Sequence, residues 1–208
     1  MFRPQSGILV VVLIVGLHSY GHAENYVAVG GGMALADLET TNAGNIDLQN
    51  NVFFGAKFGH YVNSRQFNWL GWEVDLYRAQ PNVKQQTISG STNPTISGDI
   101  PGSVFAVYSA AFNALVRLTG YQSKIEPYVG IGIGLNIGNI SGGNFPPEAS
   151  FAPSFNILAG TRYYVTPNIA PFIEYKYNFA QFNFSRSDIT ADYRANLFMF
   201  GIAFHFGG

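Results

Sequence analysis

From residue 25 onward the chain alternates apolar and polar or small side chains with a period of two, the mark of strands whose two faces meet different surroundings. The alternation recurs eight times, at 25–36, 51–62, 68–79, 103–118, 124–138, 153–165, 168–181 and 192–206. In the last stretch Phe198, Phe200, Ile202, Phe204 and Phe206 share one face and Ala195, Leu197, Met199, Gly201, Ala203 and His205 the other. In the fifth, Val129, Ile131, Ile133, Leu135 and Ile137 oppose Tyr128, Gly130, Gly132, Gly134 and Asn136. No helical periodicity competes. The connectors alternate in length. Those near 62–67, 119–123 and 166–168 are tight, and those at 37–50, 80–102, 139–152 and 182–191 are long and rich in Gly, Asn, Ser, Thr and Pro. This rhythm predicts an all-β, eight-stranded antiparallel up-and-down barrel with both termini on the side of the short turns.

Alternation alone does not say which face is inside, since a soluble ligand-binding barrel alternates too, with its apolar face inward. Composition decides. Charged residues are 11% of the chain, about half the usual share, against 18 Phe and 12 Tyr. The less apolar face, built of Gly, Ala, Asn and a few charges, is a poor water-facing exterior and a good filling for a narrow lumen. The other face is nearly continuous Phe, Ile, Leu and Val. Apolar out and polar in predicts a transmembrane barrel with short periplasmic turns and long extracellular loops. The first residues fit export: Arg3, an apolar run at 7–17, then small residues at Gly21 and Ala23. They predict a secretory signal peptide over 1–23, too short in its apolar core to span as a helix, and a barrel domain over 24–208. A net charge of −1 gives no footprint for nucleic acid, and the absence of Cys removes disulfides and thiolate metal sites.

The strand pattern over 25–206, the segment WLGWEVDLY at 69–77 and the closing FMFGIAFHF at 198–206 together resemble the OmpA/OmpX-type family of small, porin-like outer-membrane barrels. The resemblance implies a bacterial outer-membrane location, contact with outer-membrane lipid and lipopolysaccharide, and no cofactor. It also implies that Phe198, Phe200, Ile202, Phe204 and Phe206 form the aromatic strand by which the barrel assembly machinery recognises such chains. Many members end on the aromatic residue; here Gly207 and Gly208 follow. The family includes structural proteins, adhesins, narrow channels and a few enzymes, so its bearing on function is broad. Nothing in the sequence requires more than a monomer.

Phasing the strands turns Lys57, Glu73, Asp75, Arg117, Glu126, Arg162, Glu174 and Lys176 inward, four cations with four anions. Isolated charges in so narrow a lumen carry a heavy desolvation cost, which equal numbers of both signs can offset. Taking each short turn's midpoint as the hairpin axis puts Lys57 opposite Glu73, Arg117 opposite Glu126, and Arg162 diagonal to Glu174. The expectation is a plug of ion pairs that closes the barrel; a switch of partners that opens a small conductance is the alternative.

Other motifs carry less. The glycines of Gly130-Ile131-Gly132-Ile133-Gly134 fall on one strand face and lack the strand–loop–helix setting of a nucleotide loop. His60 and His205 fall near the short-turn ends of their strands, and Ser109 faces inward without a histidine, so no nucleophile–base pair can be nominated and no metal site is expected. The loop at 80–102 repeats Thr-Ile-Ser-Gly at 87–90 and 95–98; Phe145-Pro146-Pro147 and Phe182-Asn183-Phe184 add apolar character at other loop tips. Loops 80–102 and 139–152 are candidate contacts for a host or cell-surface partner. The expected function is a non-enzymatic structural or surface-interaction barrel. The alternatives are a narrow channel for small solutes and a lipid A-modifying barrel enzyme.

Overall fold

The computed structural model describes residues 24–40, 44–62, 64, 66–82, 87–88, 98–99, 104–118, 123–141, 147–185 and 189–207. The expected signal peptide and Phe145-Pro146 lie outside them. Among the described residues eleven strands form: β1 (Glu24–Thr40), β2 (Gly44–Asp47), β3 (Asn51–Tyr61), β4 (Leu70–Ala79), β5 (Thr87–Ile88), β6 (Gly98–Asp99), β7 (Val104–Arg117), β8 (Ile125–Ser141), β9 (Glu148–Tyr163), β10 (Ile169–Phe184) and β11 (Ile189–Phe206). Eight long strands, β1, β3, β4 and β7 to β11, run antiparallel to their neighbours, and β11 pairs back onto β1 from Asn25↔Phe206 to Thr40↔Ala191, closing the barrel. None of the eight long strands is left as an edge, as a low-dielectric surround demands.

The ladder also fixes the shear. A circuit of directly paired residues leaves Ala28, passes Lys57, Asp75, Ala111, Gly134, Ser154, Ala180 and Tyr193, and returns to Leu38, ten positions further along β1. That stagger tilts the strands and sets a bore that side chains can fill. All nine residues of the circuit face inward.

The faces divide as the period predicts. Ile133 is 71% exposed, Phe54 69% and Phe200 63%, while the inward positions of the same strands are buried. A continuous outward belt of Val, Ile, Leu and Phe, with Trp69, Tyr108, Tyr163 and Tyr175 among it, is the surface of a membrane-spanning barrel.

The strands extend further on the long-loop side than the sequence pattern suggests. β1 runs to Thr40, β8 to Ser141, β9 begins at Glu148, β10 runs to Phe184 and β11 begins at Ile189. The expected loop 139–152 is therefore largely ladder, with Asn139 paired to Ala149 and Gly138 to Ser150. Above Asn51, the short β2 takes the place of β3 beside β1. In loop 80–102, Thr87 and Ile88 pair with Asp99 and Gly98 as a small separate hairpin. Polar turn-forming residues mark where a chain can leave the sheet, but a ladder with partners on both sides continues through them.

Candidate functional site: the closed lumen

Two rims bound the interior. The short turns, residue 24 and the end of β11 gather at one, called here the turn rim; the long connections gather at the other, the loop rim. Between them the lumen is layered.

At the turn rim, Arg117 Nη1 donates to Glu24 Oε2 at 2.8 Å and to Glu126 Oε2 at 3.1 Å. Tyr164, between β9 and β10, donates its hydroxyl to Glu24 Oε1 (3.0 Å) and Glu126 Oε2 (3.2 Å). Burial, reinforced by those two carboxylates, pushes the Tyr164 phenol well above its ordinary range, so it serves as a fixed donor. His205 Nδ1 stands 2.9 Å from Glu24 Oε1, its ring packed between those of Tyr26 and Tyr164. These groups line a vestibule of about 620 Å³ together with Ser123, Lys124 and the turn at 165–168.

One layer in, Arg162 donates to Glu126 Oε1 at 2.9 Å and to the Tyr61 hydroxyl at 2.8 Å, and its guanidinium carbon lies 4.1 Å from the Tyr26 ring centroid and 4.5 Å from that of Tyr128. Lys57 Nζ then reaches Glu73 Oε1 (3.0 Å), Glu174 Oε2 (2.6 Å) and Asp75 Oδ2 (3.7 Å). Tyr26 and Tyr128 donate to Glu73 and Glu174 at 2.8 and 2.9 Å. Lys176 pairs with Asp75 and, at 3.6 Å, with Glu174. Every charge in this layer is buried. In such surroundings an ion pair gains from having its remaining lone pairs met, which tyrosines and Asn113 do for Glu73 and Glu174, while Asp75 Oδ1 has no hydrogen-bond partner among the described residues.

Above the ions lies a belt of amides: Asn136 Nδ2 donates to Asn178 Oδ1, and Asn178 Nδ2 to Asn156 Oδ1, each at 2.7 Å. Tyr77 and Ser109 sit directly opposite one another at this level. At the loop rim the filling turns aromatic. Phe105 packs edge-on to Phe182 (centroids 5.6 Å apart) and Tyr193 (5.9 Å), and Phe182 stacks on Phe184.

All eight residues phased inward from the sequence lie in this network, but two of the three assumed registers do not hold. Lys57 is opposite Asp75, not Glu73, and Arg117 is opposite Tyr128, not Glu126. The turn between β3 and β4 closes at 66–69, where the Trp69 indole donates to Gln66 O, so the hairpin axis sits past the midpoint of the connector. Side chains two residues out of register still meet, because long ones reach diagonally. Arg162 is diagonal to Glu174, but its ion-pair partners are Glu126, directly across, and Glu73 at 3.9 Å. Phe182 and Phe184 are no loop tip: both are fully buried in β10. Sequence reasoning missed Glu24, which shares the parity of Tyr26 and Ala28, and the part that Tyr26, Tyr61, Tyr128 and Tyr164 play in meeting the ions.

Ser109 and His205 occupy different layers, His60 stands on the outer wall against Trp72, and among the described residues no group of three or more His, Asp or Glu is placed to hold a metal ion. The glycines at 130, 132 and 134 line the inner wall; at Gly132 a Cβ would collide with the Asn113 side chain. Phe198, Phe200, Ile202, Phe204 and Phe206 form the outward face of β11. Gly207, just beyond, takes a positive φ of 82°, a conformation that glycine adopts without strain.

No protein-family model and no curated relative matches the chain. Solved structures do. Neisserial surface protein A (NspA) superposes with a TM-score of 0.59 at 20% identity, covering 88% of this chain and 97% of that one. OprG, an outer-membrane protein of Pseudomonas aeruginosa, gives 0.52 at 13% identity over 90% and 99%. Ail, the attachment invasion locus protein of Yersinia pestis, solved with the heparin analogue sucrose octasulfate, gives 0.51 at 17% over 89% and 99%. The closed ladder, the outward apolar belt and these likenesses make the chain a small eight-stranded β-barrel of the outer-membrane type.

Proposed function

We propose that this protein is a non-enzymatic bacterial outer-membrane barrel that anchors its long connections at the cell surface for contact with other surfaces, and that its lumen is shut to solutes. One observation carries the reading: ion layer, amide belt and aromatic layer succeed each other along the bore with buried side chains throughout. An interior filled in this way serves the stability of the wall rather than passage. The turn rim is then periplasmic and the loop rim extracellular. Segment 1–23 is the export signal, and the mature chain begins at Glu24. The aromatic face of β11 is the assembly signal. The likeness to Ail suggests a sulfated polysaccharide as a first probe for the connections at 80–102 and 139–152.

Planar-bilayer recording from the purified, folded barrel tests the closed lumen. The expected record is flat at moderate voltage; discrete conductance steps would overturn it in favour of a narrow channel. Binding of whole cells to immobilised heparin, with and without residues 89–97, tests the surface role.

A further inference from the structure

The vestibule at the turn rim holds groups that the ion network does not use up, and its charges separate by depth. Glu24, Glu126 and Arg117 form the floor. There the Glu24 carboxylate is the most open, its side chain 13% exposed against 6% for Glu126 and 3% for Arg117. Lys124 stands at the lip, exposed, and among the described residues no carboxylate pairs with it.

His205 adds an unmet group to the floor. Only 5% of it is exposed; Nδ1 faces Glu24 Oε1 at 2.9 Å, and Nε2 has no hydrogen-bond partner among the described residues. A carboxylate at Nδ1 favours the tautomer with its proton there, which leaves Nε2 a lone pair. Glu24 at the start of β1, His205 on β11 and the Tyr164 hydroxyl oxygen after β9 are thus acceptors from separate elements around one floor. An ammonium group carries the donors to meet all of them.

The lip offers the opposite chemistry. Beside Lys124, Thr166 Oγ1 takes backbone N–H groups from Asn168 and Ile169, which leaves its own O–H to donate. A cation with a hydroxyl suits a phosphate. Arg117 and Lys124 balance Glu24 and Glu126 in the lining, so a ligand of no net charge fits it best. The remaining wall is apolar: Val165 and Phe206 line the same space, both exposed, and Phe206 belongs to the lipid-facing side of β11. The vestibule therefore opens onto the belt, as a seat for a lipid headgroup must.

We propose that the vestibule seats the phosphoethanolamine group of a phospholipid from the periplasmic leaflet. Its ammonium meets Glu24, His205 and Tyr164, its phosphate meets Lys124 and Thr166, and its acyl chains leave past Val165 and Phe206. This rests on the periplasmic assignment of the turn rim made above.

Native mass spectrometry of the detergent-folded barrel tests the seat, with phosphatidylethanolamine, phosphatidylcholine, phosphatidylglycerol and free glycerophosphoethanolamine as probes. The expected result is a phosphatidylethanolamine adduct that weakens about fivefold in K124A and about tenfold in E24Q, and is unchanged in R78Q at the opposite rim. Heat-modifiable migration of each variant separates lost binding from lost folding. An adduct equally strong in K124A, E24Q and the parent chain overturns the seat. Equal binding of phosphatidylcholine, which has no N–H donors, or of phosphatidylglycerol, which has no ammonium, overturns the zwitterion. Equal binding of the free headgroup overturns the lipid as its source. The chain has no Cys, so K124C carries a unique thiol. Its labelling on intact cells by an impermeant maleimide would overturn the periplasmic assignment, whereas a missing adduct with labelling only in lysed cells would overturn the seat alone.

Discussion

The two halves of the lumen solve one packing problem by different means. Toward the turn rim, five carboxylates (Glu24, Glu73, Asp75, Glu126, Glu174) and four cations (Lys57, Arg117, Arg162, Lys176) fill the bore through directional contacts. Toward the loop rim, Phe53, Phe105, Phe182, Phe184 and Tyr193 fill it through area and shape. Aromatic packing tolerates small shifts, but it places a greasy surface inside a barrel that is already greasy outside. Ion pairs tolerate no vacancy. They make the inside-out alternative expensive, because a turned-over strand would put its charges into lipid. The charged half therefore specifies which face is inward, and the aromatic half seals what has been specified.

The largest expected effect comes from breaking the ions singly. Lys57 is shared among Glu73, Glu174 and Asp75, so Lys57→Met strands carboxylates in a buried layer and should cost roughly 3–5 kcal/mol. Urea unfolding in lipid vesicles, followed by heat-modifiable migration, reads it. The comparison sharpens in the triple variant K57M/E73Q/E174Q, where removing the orphaned charges should return most of the loss. If the triple is no better than the single, the layer is held by packing and the contrast between the halves fails.

An aromatic deletion should behave differently. Phe182→Ala removes a fully buried ring that touches Phe105, Phe184 and Tyr193, at a cost of about 3 kcal/mol from lost burial and the cavity left behind. No second substitution of a neighbour to a neutral polar residue should rescue it. Its bilayer record should stay flat, because the ion layer still closes the bore below; current through F182A would show that the aromatic half alone keeps the lumen shut.

How much of this was legible follows from what a one-residue and a two-residue error each do. A slip of one turns every side chain to the other face, and the run Lys57, Glu73, Asp75, Glu174, Lys176 forbids it, so the inward phase could be read from the chain. A slip of two preserves faces and costs nothing in the pattern. That is why Lys57 could be set against Glu73 when the ladder sets it against Asp75: the error lay in the turn at 66–69, whose shape is decided by Gln66 and Trp69 rather than by hydrophobic period. Likewise Asn139, Ser141 and Asn183 carry loop composition yet continue the wall, since the ladder around them supplies the bonds that their propensity does not. The phase turned Tyr128 inward, but only the closed barrel brings Tyr26, Tyr61 and Tyr128 together over Arg162 from three different strands.

The seam between the halves offers the finest test. Asn178 donates to Asn156 and accepts from Asn136, bridging β8, β9 and β10 just above Lys176 and just below the aromatic layer. Leucine is close in volume and would extend the aromatic half downward by one layer. It would also leave Asn136 Nδ2 and Asn156 Oδ1 without their bridge, in a belt where Asn136 Oδ1 and Asn156 Nδ2 already lack a partner among the described residues. Asn178→Leu should therefore cost about 2 kcal/mol, the desolvation of stranded amide groups outweighing the gain in apolar contact. Adding Asn136→Leu and Asn156→Leu removes the stranded groups and should recover that loss. A triple variant that stays destabilised would mean that the belt hydrates the top of the ion layer, and that the two halves are coupled through it rather than simply stacked.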